Sequence, residues 1–146
     1  MEKKYEFYEK SNKYNKPSKL LKRFFDMKLE GNLKNKIAID IGAGVGNDAK
    51  FLLEKGFKVT CIDKEEKAKE IAISKIGNNE KFNYIVDTIE NIKLQESDFI
   101  YECFCLQFCN PQKIDSVMEK IIKNISQGGF FVRKFHRKWR WLGKIS

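Results

Sequence analysis

Ile37-Ala-Ile-Asp-Ile-Gly-Ala-Gly-Val-Gly46 runs from a short isoleucine-rich segment straight into three alternate glycines. A brief apolar run rich in β-branched residues and bounded by glycine reads as a buried strand. Glycines at 42, 44 and 46 let the chain turn sharply and bring bare backbone up to a ligand. The next segment, NDAKFLLEKG (47–56), has helical spacing, with Ala49, Leu52 and Leu53 inward and Gly56 at its end. The start of such a helix presents free N–H groups and the positive end of its dipole, which suits a carboxylate or a phosphate.

Working outward, FKVTCID (57–63) alternates as a strand, and KEEKAKEIAISKIG (64–77) has the charged and apolar faces of a helix ended by Gly77. KFNYIV (81–86) is a further strand, and SDFIYECFCLQF (97–108) begins as a buried one. Pro111 opens a helix whose stripe is Ile114, Val117, Met118, Ile121, Ile122 and Ile125; Gly128 and Gly129 break it before the strand GFFV (129–132). Upstream, residues 1–36 are polar and lysine-rich. There Pro17 fits a first helical turn, Leu20, Leu21, Phe24, Phe25 and Met27 line one face, and Gly31 supplies the stop. Strands alternating with amphipathic helices predict an α/β fold whose mostly parallel sheet is covered on both faces.

With 146 residues, the chain has the size of one domain. Within it we distinguish a helical cap segment (1–36), a ligand-binding core (37–132) and a basic aromatic tail (133–146). A hydrophobic content of 42% with only two prolines supports a buried core. No apolar run reaches the ~18 residues of a membrane span. The charged start MEKKYEFYEK lacks the apolar stretch of a secretory signal, so a cytoplasmic location is expected. Cys103 and Cys105, two apart, would share one face of a strand; all four cysteines read as small packing residues, and no metal site is expected. The net charge of +9 is uneven: residues 133–146 carry six basic side chains and no acidic one, whereas the rest holds 23 basic and 20 acidic. A nucleic-acid footprint over the whole domain is therefore not supported, but a basic tail is.

The glycine spacing discriminates between ligands. Dinucleotide sites read G-x-G-x-x-G, whereas here the third glycine comes one residue sooner and Asp40 stands two before the first. Asp63 closes the second strand nineteen residues after Gly44, where a carboxylate can take two hydrogen bonds from a ribose diol. A nicotinamide dehydrogenase is the weakest contender, and His136 lies in the tail, where a solvated role outweighs a catalytic one.

On these residues the sequence resembles the class I S-adenosylmethionine-dependent methyltransferases, looking most similar to small bacterial members of the tellurite and thiopurine type. Asp40, Gly42, Gly44 and Gly46 match the family's (D/E)-x-G-x-G-x-G, Asp63 its second-strand acid, and Asp87 with Thr88 the position after the third strand. The resemblance spans about Pro17 to Val132 and implies a Rossmann-like three-layer sandwich. It further implies that Asp40 and the turn of Gly42, Ala43, Gly44 and Gly46 position the methionine part of S-adenosyl-L-methionine. Asp63 with the adjoining Lys64 would bind the ribose, and Asp87 with Thr88 the adenine. Glu102 and Cys103 would border the methyl group and the acceptor, with Tyr14 folding over the sulfonium. A sulfonium methyl is already activated, so positioning and water exclusion carry much of such a transfer. Glu102 is the candidate base by location, beside a structural role of equal standing; no catalytic residue is named.

Family members continue after the fifth strand with a helix and two further strands, for which fourteen residues do not suffice. The tail RKFHRKWRWLGKIS (133–146) admits three readings: a nucleic-acid arm, a membrane-docking arm, or a replaced C-terminus that leaves an exposed sheet edge and marginal stability. The expected function is methyl transfer to a small molecule. The alternatives are an RNA or protein methyltransferase using the tail, or an inactive remnant. Acceptor and oligomeric state are not legible.

Overall fold

The computed structural model describes residues 2–28, 31–135 and 138–144. Five parallel strands, β1 (Ile37–Ile41), β2 (Lys58–Asp63), β3 (Phe82–Val86), β4 (Ser97–Cys103) and β5 (Ile125–Phe135), are joined by β6 (Lys138–Lys144), which runs antiparallel to β5. The order is β3-β2-β1-β4-β5-β6, so the chain moves outward from β1 through β2 to β3 and then crosses back to β4 on the other side of β1, which puts the reversal beside β1. The helices are α1 (Glu2–Tyr14), α2 (Lys19–Lys28), α3 (Asn47–Glu54), α4 (Glu66–Ile76) and α5 (Ile114–Lys123). No helix among the described residues is long and apolar enough to cross a membrane.

Period-2 alternation splits the core between the two faces of the sheet. Ala38, Val59, Cys61, Phe99, Tyr101 and Val132 face α2 and α3, whose Leu21, Phe24, Phe25, Ala49 and Leu52 complete one cluster. Ile39, Ile41, Ile62, Ile100 and Phe131 face Val117 and Ile121 of α5, with Ile89 and Leu106 from two loops. Ser18 caps α2: its Oγ accepts the Leu21 N–H (3.2 Å), the N3 donor of the first turn.

Several expectations are corrected. Pro17 precedes the capping serine rather than sitting in the first turn. Met27 is 67% exposed and Ile122 52%, because ten-residue helices bury only a narrow stripe. Ile125 belongs to β5, pairing with Ser97; Gly128 and Gly129 lie within that strand, where the register shifts between Ser97 and Phe99. Cys103 and Cys105 do not share a face: β4 ends at Cys103, Phe104 takes φ 63, and the two cysteines pack into opposite core clusters.

The exposed β5 edge does not occur, since β6 pairs with it from Phe130↔Lys144 to Phe135↔Lys138. The tail is thus not a free arm over residues 133–135 and 138–144. Arg133 and Lys134 belong to β5 and turn toward Glu102 and the Phe104 ring. His136 and Arg137 lie outside the described residues.

Candidate functional site

The glycine turn is held from below by β2. Gly42 and Ala43 donate their N–H groups to Ile62 O (2.8 and 3.1 Å), and Gly44 donates to Asp63 Oδ2 at 2.9 Å. The other oxygen of Asp63 accepts the Glu65 N–H at 3.1 Å, and the Tyr84 hydroxyl donates to Gly44 O at 2.7 Å. Gly42 is required twice over: its φ is 73, and a Cβ there would lie 2.5 Å from Cys105 Cβ. At Gly44 only the backbone demands glycine, since its φ is 54 and a Cβ would meet nothing within 4 Å.

Above this turn lies a cavity of about 560 Å³ at the carboxyl ends of the parallel strands, beside the reversal at β1. Open α/β sheets place their ligands at such a switch point. Of the residues the sequence singled out, the cavity wall brings together Gly42, Ala43, Gly44, Asp63, Lys64, Asp87, Thr88, Cys103 and Tyr14. Asp40, Gly46 and Glu102 are not in it. Asp40 is 2% exposed beneath the turn, and Gly46 (φ 83) caps α3 against Ala72. Glu102 is 1% exposed, and its carboxylate is spent on Arg133 Nε (2.9 Å) and on the N–H groups of Cys105 and Leu106 (2.5 and 2.9 Å). A base must reach the proton it takes, and the Glu102 carboxylate does not line the cavity.

Sequence reasoning missed several contributors. From α1 come Phe7, Tyr8 and Ser11, with Ser11 O accepting from Asn47 Nδ2 (2.8 Å) and Lys4 pairing with Glu65. Asp48, in the first turn of α3, accepts the Ser18 N–H at 2.6 Å, and Ser18 Oγ meets the Tyr101 hydroxyl at 2.5 Å. An acid in a first helical turn is ordinary dipole chemistry, so nothing in the sequence marked Asp48. On the far wall stand Phe104, Cys105, Phe108 and Cys109.

Burial sets the local proton affinities. The Tyr8 hydroxyl is pushed up to about 12 by desolvation, with Asp63 and Glu65 adding to it. Desolvation also lifts the Cys103 thiol to about 11, so it stands as a neutral thiol. The Asp40 carboxyl is held well above the ordinary carboxylate range, first by complete burial and then by Asp48, Asp63 and Glu102. Its Oδ2 is the buried side-chain oxygen that lacks a hydrogen-bond partner among the described residues.

That raised affinity has a defined sign. Folding favours the neutral acid, so the contribution of Asp40 to stability is full below its unfolded value and is lost as pH rises through its folded one. Asp40→Asn removes this loss. Its stability relative to the native protein, from urea unfolding, is therefore expected to improve between pH 5 and pH 8. An offset equal at both values would show that Asp40 stays ionised in the fold.

A family model described as "Methyltransferase domain" matches residues 38–129. No curated protein matches the sequence significantly. Among solved structures, the chain is similar to an S-adenosylmethionine-dependent methyltransferase from Mesorhizobium loti (21% identity, TM-score 0.65, covering 77% of this chain and 50% of that one). It is also similar to one from Clostridium acetobutylicum (17%, TM-score 0.67, 78% and 48%). A third is the N-methyltransferase NodS of Bradyrhizobium japonicum in complex with S-adenosyl-L-homocysteine (17%, TM-score 0.62, 68% and 52%). The chain spans about half the length of these three structures.

Proposed function

We propose that this chain, which belongs to the methyltransferase-domain family and has the Rossmann-like fold of the class I S-adenosylmethionine-dependent enzymes, transfers a methyl group from that cofactor to a small-molecule acceptor. The observation that carries the reading is the join between the glycine turn and Asp63, which sets a carboxylate and a bare backbone side by side in one cavity.

The residues present fit the cofactor. Each oxygen of Asp63 accepts one backbone N–H and keeps further lone-pair capacity for a ribose diol. Asp87 already turns its Oδ1 to the Thr88 N–H (2.7 Å) and to Asn91 (3.1 Å), which fixes it at the β3 end for an adenine amino group. Ile62 and Ile89 offer apolar surface for a flat base, and the open space over Gly44 admits a chain lying against the backbone. Asp40, buried beneath the turn and outside the cavity wall, would act on the methionine part only through the backbone of Gly42 to Gly44 above it. When bound, S-adenosylmethionine supplies a sulfonium-activated methyl group for in-line displacement. Tyr14, Ser18, Asp48 and Cys103 border the remaining space; they orient an acceptor and exclude water from it.

A small acceptor suits a cavity of about 560 Å³, within the range of small-molecule sites. The inward turn of Arg133 and Lys134 removes the first two cations from a nucleic-acid arm. Four free thiols suit a reducing cytoplasm. Incubation with methyl-labelled S-adenosylmethionine and separate panels of small amines, thiols and phenols, bulk RNA and protein tests the reading. Label is expected in a small molecule; transfer confined to RNA or protein would overturn the acceptor class.

A further inference from the structure

The far wall of the cavity is a turn that the backbone does not favour. Between Cys103, the last residue of β4, and the short 3₁₀ turn Leu106–Phe108, Phe104 stands at φ 63, a left-handed conformation uncommon for a bulky side chain. Such a residue persists only where its surroundings over-determine it. Here they do. One oxygen of Glu102 accepts both the Cys105 N–H (2.5 Å) and the Leu106 N–H (2.9 Å), while the other receives Arg133 Nε (2.9 Å). Lys134 Nζ lies 4.8 Å from the centre of the Phe104 ring, a second tie from β5. The Cys105 side chain that this turn delivers closes against Gly42, where even a single added methyl group would overlap it.

We infer that Glu102 is a positioning residue: a doubly anchored clamp that ties the turn of Cys103–Cys109 to Arg133 of β5 and so sets the acceptor-facing wall of the cavity. Arg133 and Lys134, the start of the basic segment, thereby act inward on the site. The inference rests on the methyl-transfer reading for the word acceptor, but the clamp itself does not.

Two variants separate this role from that of a proton acceptor. Glu102→Gln keeps the reach and an oxygen for the two N–H groups of the turn, but gives up the charge and sets an NH2 against Arg133 Nε. It therefore loses the tie to β5 while keeping the hold on the turn. Glu102→Asp keeps the charge and shortens the reach by one methylene. Amide hydrogen exchange at Cys105 and Leu106, and the rate of iodoacetamide alkylation of Cys105 and Cys109, report on the turn whether or not methyl transfer is seen. For a clamp, Glu102→Gln is expected to raise both rates by about threefold or less. Glu102→Asp is expected to raise them tenfold or more. The affinity for S-adenosylhomocysteine should stay within about twofold in both, and the acceptor KM should rise more in the aspartate variant than in the glutamine one.

Unchanged exchange and alkylation in Glu102→Asp would overturn the clamp. So would a kcat lost in Glu102→Gln and kept in Glu102→Asp, which is the signature of a base. If the native protein binds no S-adenosylhomocysteine, the methyl-transfer reading falls, and exchange at the two amides still decides the clamp.

Discussion

Calorimetric titration of Asp63→Ala with S-adenosylhomocysteine is expected to show an affinity at least tenfold below that of the native protein, about 1.4 kcal/mol or more. Two losses add in this variant. The carboxylate that would take the ribose hydroxyls is gone, and hydrogen bonds to a charged group contribute about 1.5–3 kcal/mol. The Gly44 N–H and the Glu65 N–H also lose their shared acceptor, so the glycine turn and the start of α4 are no longer held to the end of β2. Asp63→Asn separates the two losses. Its amide oxygen can keep one backbone bond while the charge disappears, so its affinity should fall between those of the native protein and the alanine variant. Native affinity in Asp63→Ala, with the fold intact by circular dichroism, would place the cofactor elsewhere.

The second large effect concerns the scaffold that carries the site. Phe99→Ala is expected to lower the unfolding free energy by about 3–5 kcal/mol and the Tm by roughly 10 °C. Phe99 is 1% exposed at the centre of the α2–sheet interface. Its ring centre lies 5.4 Å from that of Phe24, 5.5 Å from Phe25 and 5.8 Å from Phe57, and it stacks on Tyr101 at 6.4 Å. Such pairs add to area burial, and the neighbours, held on α2, in the loop before β2 and on β4 itself, cannot all close over the gap. The damage reaches the cavity because α2 begins at Ser18, which meets both Asp48 and the Tyr101 hydroxyl. Phe108→Ala is the comparison: that ring is 77% exposed, and its loss should change stability by no more than about 0.5 kcal/mol. Equal Tm values for the two variants would show that the aromatic cluster does not carry the fold.

Much of the architecture was legible because it depends on short-range patterns. Short apolar runs such as Ile37–Ile41 and the alternate glycines at 42, 44 and 46 are local statements, and their order along the chain specifies a mostly parallel sheet. Asp63 was legible for the same reason: a strand end and a separation of nineteen residues place it near the glycine turn. Element ends were less legible. Whether Pro17 lies inside or before a helix turned on the Ser18 hydroxyl finding the Leu21 N–H, and whether Ile125 closes a helix or opens a strand turned on Ser97 across the sheet.

By itself, then, the amino-acid sequence determined the strand–helix alternation, the glycine turn and the acid that answers it, because each needs only neighbours in the chain or one strand end beside another. Tertiary structure alone decided which carboxylate faces the cavity and which is consumed in holding it. Glu102 and Asp48 look alike as acids near strand and helix ends. One is buried against Arg133 and two backbone N–H groups, while the other lines the cavity beside Ser18. The basic residues 133 and 134 read as a tail until β6 paired with β5 and they were seen turned toward the site. Charge and composition record what a side chain is. Its direction is set by partners distant in sequence, and the energy that fixes it appears only when those partners meet.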